Sequence, residues 1–175
     1  MIFLGLAQKF VCGVLIVALS VGSTSTQCIE EPTIEEEYEE IVEEQQIEEV
    51  EEELNFIKPV DGGNISSFYG LRYGRLHAGI DIALLSGSRI FASEKGEVIY
   101  AGWSGSYGYL VKIKHKDGYE TYYAHCSRLL VSVGDVVDKG QDIALVGATG
   151  NATGPHIHFE IRLNGSPLNP YNYIY

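Results

Sequence analysis

Between residues 89 and 163 the chain is cut into six short runs rich in β-branched and aromatic residues. That segmentation constrains the fold more than any other feature of the sequence. The runs are 89–93, 97–103, 108–115, 120–125, 142–146 and 156–163, separated by Gly, Asp, Asn and Ser. Lys116-Asp117-Gly118 joins two of them as a tight hairpin turn, and Val133-Gly134-Asp135 and Lys139-Gly140-Gln141 mark further turns. No segment in this region carries a long helical stripe. The expectation is an all-β domain, an antiparallel sheet that folds over on itself or pairs with a smaller one.

Charge divides the chain in the same place. Residues 30–53 hold 14 of the 24 acidic residues and no Lys or Arg, whereas residues 54–175 hold 11 Lys and Arg against the other 10 acids. The net charge of −12 therefore describes a segment, not the surface of the β domain. With no basic run and an acidic tract that repels phosphate, nucleic acid is excluded as a partner. Three parts are expected: 1–28, 29–54 and 55–175. In the first, Lys9 precedes an apolar run over 10–19 and then Ser20, Gly22, Ser23 and Ser25, the layout of an export signal. A membrane tether through residues 1–22 is the alternative, and either reading takes the domain out of the cytoplasm. The Glu-rich part reads as a solvated spacer; a docking strip for a protein partner is the sharper reading of its apolar steps at Ile34, Tyr38 and Ile41. Three cysteines, Cys12, Cys28 and Cys126, suggest neither a disulfide framework nor a zinc knuckle.

All five histidines fall in the β domain. In His77-Ala-Gly-Ile-Asp81, an extended backbone would turn His77 and Asp81 the same way, and both offer ordinary zinc-ligand atoms. Residues 156–161 alternate with period two: Ile157, Phe159 and Ile161 face a core, while His156, His158 and Glu160 share the opposite, open face. His125 ends the run Tyr122-Tyr123-Ala124, from where a loop can aim it into a cleft. His115 reads as structural or surface. A catalytic zinc needs three protein ligands and one open position for water. His77, Asp81 and one of His156 and His158 supply that number. The other member of the pair and His125 remain to position or deprotonate the water and to stabilise an oxyanion.

Taken together these segments resemble the M23 metallopeptidases, the lysostaphin-like endopeptidases of bacterial cell walls. The resemblance rests on Ser67-Phe-Tyr-Gly-Leu-Arg72, His77-Ala-Gly-Ile-Asp81, Ala101-Gly-Trp103, Gly105-Ser-Tyr-Gly-Tyr109, Tyr123-Ala-His125, Gly147-Ala-Thr-Gly150 and Thr153-Gly-Pro-His-Ile-His-Phe-Glu160. It implies a folded antiparallel β-sheet with an active-site groove, Zn2+ held by His77, Asp81 and His158, and His125 and His156 as the catalytic pair. It further implies peptidoglycan peptides as substrate, hydrolysed by attack of a metal-bound water in the groove; of Tyr69, Tyr73, Tyr107, Tyr109, Tyr122 and Tyr123, some are expected to line that cleft and others to pack the core. Where the family usually carries Leu after Tyr-Ala-His, this chain has Cys126. Strand alternation puts that thiol in the core, away from the metal. Two other functions fit the same residues: a non-hydrolytic wall-binding scaffold or regulator, and a peptidase acting on protein rather than on the wall.

Overall fold

The computed structural model describes residues 54–72 and 74–175. The segments read as an export signal or membrane tether and, apart from Leu54, as a Glu-rich spacer lie outside the described residues, as does Tyr73. Twelve strands follow in order: β1 (Asn64–Ser67), β2 (Gly70–Arg72), β3 (Arg75–His77), β4 (Ile80–Ala83), β5 (Arg89–Phe91), β6 (Gly96–Trp103), β7 (Tyr109–Lys114), β8 (Tyr119–Leu129), β9 (Val136–Val137), β10 (Asp142–Val146), β11 (His156–Leu163) and β12 (Ser166–Leu168). A single helical turn, α1 (Tyr171–Ile174), closes the chain, and no helix among the described residues is long and apolar enough to cross a membrane.

The main sheet is antiparallel and runs β1-β4-β11-β8-β7-β6-β9, with β12 beside β11, while β2 and β3 form a separate two-stranded ribbon. The expected all-β fold is present, and β8 shows how it folds over. Its first half pairs with β11 as far as Ala124 and with β7, and from Cys126 onward it pairs with β10, which in turn pairs with β5. At the changeover sits His125, with φ of 61°, a left-handed conformation unusual for a residue with a side chain. Carrying one long strand through a bend there lets a single sheet wrap its own core. The run read as 120–125 is therefore longer than expected, because the bend does not end the strand.

Ile80, Ile82, Val111, Ile113, Tyr123, Ile157, Phe159 and Ile161 pack with Ile90, Val98, Ile143 and Val146 in one fully buried core. Each such side chain contributes about 1.5–3 kcal/mol by leaving water. Leu110, Tyr122 and Ala124 form a smaller cluster with Tyr100 and Tyr107. The period-two pattern of β11 holds on its apolar side. On its polar side the expectation of an open face fails: His158 is buried and Glu160 is fully so, because other segments wall in that face as a groove.

His115 is structural, the first of its two expected roles. Its Nδ1–H donates to the Lys95 carbonyl at 2.7 Å, Nε2 lies 2.8 Å from Thr121 Oγ1, and Phe56 packs edge-on at 5.5 Å. Burial disfavours the cation and, against the smaller pull of the Lys95 carbonyl, lowers its pKa below the usual imidazole value. In the unfolded chain it titrates near about 6.5. Below that pH the unfolded state takes up a proton that the folded state refuses, so this histidine costs stability as pH falls. Denaturant unfolding at pH 7 and at mildly acidic pH should show a smaller loss for His115→Gln than for the parent. Equal losses would mean that His115 titrates alike in both states.

Candidate metal centre and active site

Register brings the site together. Asp81 on β4 lies directly opposite His158 on β11, and His158 lies opposite Ala124 on β8, one residue before His125. His77 reaches the same point by a different route from the one expected. It does not share an extended strand with Asp81: it ends β3 of the ribbon, the backbone bends through Ala78-Gly79, and Asp81 belongs to β4 of the main sheet. The bend crosses β11 so closely that a Cβ on Gly79 would stand 2.2 Å from the Phe159 carbonyl oxygen, and glycine alone fits there.

Three donor atoms converge. His77 Nε2 is 3.0 Å from Asp81 Oδ1, His158 Nδ1 is 2.7 Å from the same oxygen, and the two nitrogens are 3.0 Å apart. Each imidazole is oriented from behind. His77 Nδ1–H donates to the Phe68 carbonyl at 2.8 Å, and His158 Nε2–H donates to Glu160 Oε1 at 2.9 Å. With an ion bound, those outer bonds would keep the outer nitrogens protonated and free the inner ones to donate lone pairs; without it, the inner nitrogens hydrogen-bond to Asp81. A tetrahedral zinc with bonds of about 2.0–2.1 Å needs donors about 3.3 Å apart, so this triangle fits the ion with a small expansion. Burial works to raise the Asp81 pKa, but the hydrogen bonds from His158 and His77 outweigh it and hold the carboxyl well below its ordinary range. Burial likewise opposes a charge on His158, yet its bonds to Asp81 and Glu160 prevail and raise its pKa.

His125 and His156 stand beside this triangle, with ring centroids 4.7 Å apart. Both are held by Nδ1. His125 donates to the Thr149 carbonyl at 2.8 Å and His156 to the Gly154 carbonyl at 2.8 Å. These bonds leave Nε2 of each uncommitted, and that of His156 lies 3.9 Å from Asp81 Oδ1. Burial lowers the His125 pKa, with only partial compensation from Thr149, so the ring is a neutral base at pH 7. The loop carrying Thr149 is clamped to the turn before β7: Asn151 N–H donates to the Ser106 carbonyl at 2.8 Å, and a Cβ on Gly108 would stand 2.3 Å from Thr149 Oγ1. This contact explains why two of the quoted glycine-rich segments occur together.

The groove around these residues encloses about 530 Å³ and is lined by Arg72, Arg75, His77, Asp81, Tyr107, His125, His156 and His158 among others. Of the tyrosines expected to divide between core and cleft, Tyr107 is the one among the described residues lining the groove. Tyr122 and Tyr123 are buried in the two clusters, the Tyr69 hydroxyl donates to the Pro167 carbonyl, and Tyr109 packs on Trp103. Cys126 lies in the core as expected, but the reason is the left-handed bend at His125, which shifts the alternation so that Tyr123 and Cys126 share one core; burial pushes the thiol up to about 12.

Glu160, Tyr107 and Arg162 are the supporting residues that sequence alone does not assign. Glu160 is fully buried and accepts from His158, from the Tyr107 hydroxyl at 2.7 Å and from Arg162 Nε at 2.6 Å. The period-two pattern put Glu160 on the same face as His158, and two-residue spacing along β11 was the available signal. Partners behind a ligating histidine are worth about 10–100-fold in metal affinity. Glu160→Gln, which keeps the shape and removes the charge, is therefore expected to weaken zinc binding about tenfold or more. Chelator competition measures it, and unchanged affinity would deny Glu160 this role.

The chain belongs to peptidase family M23, whose sequence profile matches residues 75–170. It is similar to the DD-carboxypeptidase/endopeptidase Mpg of Neisseria meningitidis serogroup B, 43% identical over 120 residues that cover 65% of this chain and 28% of the relative. It is also similar to the murein hydrolase activator NlpD of Salmonella dublin, 42% identical over 117 residues, covering 66% of this chain and 30% of the relative. The chain thus spans less than a third of the length of these two relatives. Among solved structures, a zinc containing peptidase from Vibrio cholerae superposes with a TM-score of 0.63 at 35% identity, over 66% of this chain and 39% of the other.

Proposed function

We propose that residues 55–175 form a zinc-dependent endopeptidase that hydrolyses peptide bonds of peptidoglycan outside the cytoplasm, at the cell envelope. The observation that carries this reading is the triangle of His77 Nε2, Asp81 Oδ1 and His158 Nδ1, with the Nε2 atoms of two further histidines beside it. A purely structural metal site has no use for those two extra imidazoles. The relatives named for peptidase action and for murein support the substrate class.

His77, Asp81 and His158 would hold zinc. Zinc, when bound, supplies Lewis acidity that polarises the scissile carbonyl and brings the pKa of a water to about 7. His125 Nε2, neutral at pH 7, accepts the proton from the attacking water. His156, having taken a proton from solvent at Nε2, donates it as a hydrogen bond to the oxygen that gains negative charge as the carbonyl is attacked and keeps that proton, while the transferred proton is the one held by His125. The proton then passes to the departing amine. Tyr107 keeps its proton, its pKa raised to about 12 by burial and by Glu160, so it serves Glu160 as a donor rather than taking part as a base.

The relative named a murein hydrolase activator favours a second reading, a regulator that binds the wall without cutting it. Chelating the full chain and restoring zinc, with new amino termini on peptidoglycan followed by mass spectrometry, separates the two. Termini that vanish and return with zinc support the peptidase. Wall binding with no new termini at any zinc level supports the regulator.

A further inference from the structure

The groove also carries two arginines that the described residues leave with a single distant acceptor between them. In the β2–β3 ribbon, Arg72 pairs with Arg75 and Gly70 with His77, so both arginines leave the ribbon on the face that bears His77. Both line the groove. Like charges directly opposite each other destabilise an antiparallel pair, and nothing in the ribbon relieves them. Among the described residues, the acidic partner of Arg72 is Asp81 Oδ2, at 3.7 Å, beyond hydrogen-bond length, while the other oxygen of that carboxylate faces the two imidazoles. Arg75 has no hydrogen bond or ion pair among the described residues. The carboxylates lining the groove are Asp81 and Glu160, and Glu160 is committed to His158, Tyr107 and Arg162.

The geometry points to Arg75, with Arg72, as a subsite for a carboxylate of the peptide substrate. A guanidinium presents paired N–H donors that match a carboxylate bidentately. Arg72 stands 3.7 Å from Asp81, so a carboxylate held there lies close to the bond that is cut. Its source is either the free end of a short peptide arm or an acidic side chain next to the scissile bond. Glycine-only bridges, which offer no such group, would forgo this contact. The inference rests on the hydrolytic reading for its substrate, a peptide, but not for the binding itself.

The test uses the zinc-loaded full chain and cross-linked peptidoglycan peptides in three forms: unmodified, amidated at the chain terminus, and amidated at the side-chain carboxylates. One amidation is expected to lower kcat/KM about tenfold or more, chiefly through KM, and the form affected identifies the source. In Arg75→Gln the ratio between free and amidated peptides should fall towards one, and Arg75→Lys should restore part of it. Equal kcat/KM for all three forms, or a ratio retained in the Arg72→Gln, Arg75→Gln double variant, overturns the subsite. If no form is hydrolysed, the peptidase reading fails, and calorimetry with the same peptides decides the subsite. Tighter binding of a free acid, lost in Arg75→Gln, upholds it, and equal binding overturns it.

Discussion

Asp81→Asn is expected to abolish stoichiometric zinc binding and to lower peptidoglycan hydrolysis about a thousandfold or more. The substitution changes one oxygen of a half-buried side chain. Its backbone position is held by Ile80 and Ile82, both fully buried, so the fold should survive. What is lost is the anionic member of the donor triangle, 2.7 and 3.0 Å from its two imidazole partners. An amide oxygen carries no net charge to offset the ion. Metal analysis after gel filtration, together with circular dichroism, checks both halves of the expectation. A variant that kept one zinc and its activity would show that the ion is held elsewhere.

The second large effect separates proton handling from metal binding. His125→Asn and His156→Ala should each keep zinc, because neither removes a donor of the triangle, yet each should lower turnover by about 10²–10⁴-fold. Asn is the choice at position 125 because its backbone there has φ of 61°, which Asn tolerates and Ala does not. The double variant should fall little further than the worse single one, since groups that act as a unit are not additive. Loss of zinc in His156→Ala would instead recruit that ring into the coordination sphere, which its Nε2 could approach only by closing the 3.9 Å gap to Asp81 Oδ1.

How far the sequence carried this account differs by element. Strands β10 and β11 were legible to their end residues, β11 from the period-two alternation of its apolar residues and β10 as a short apolar run bounded by turn residues. The ribbon β2–β3 and strands β1 and β12 were not legible: they are short, partly exposed and lack an apolar stripe. His156 and His158 could be placed on one face of one strand, but spacing could not decide between them as ligand. Register decides the geometry, since it sets His158 opposite Asp81. The convergence of His77 with Asp81 was anticipated for an incomplete reason. Alternation within one strand would have separated their functional atoms, whereas the bend at Gly79 brings them to 3.0 Å. The groove itself depends on long-range folding of β8 about His125, and no local pattern encodes that.

The most direct test of the central claim is zinc content and hydrolysis measured on one sample. The full chain, purified without added chelator, is analysed for metal and incubated with peptidoglycan beside His158→Ala. New amino termini are counted by mass spectrometry. The account predicts about one zinc per chain and new termini from the parent, and neither from the variant. Bound zinc without new termini, or termini that persist in His158→Ala, would contradict it.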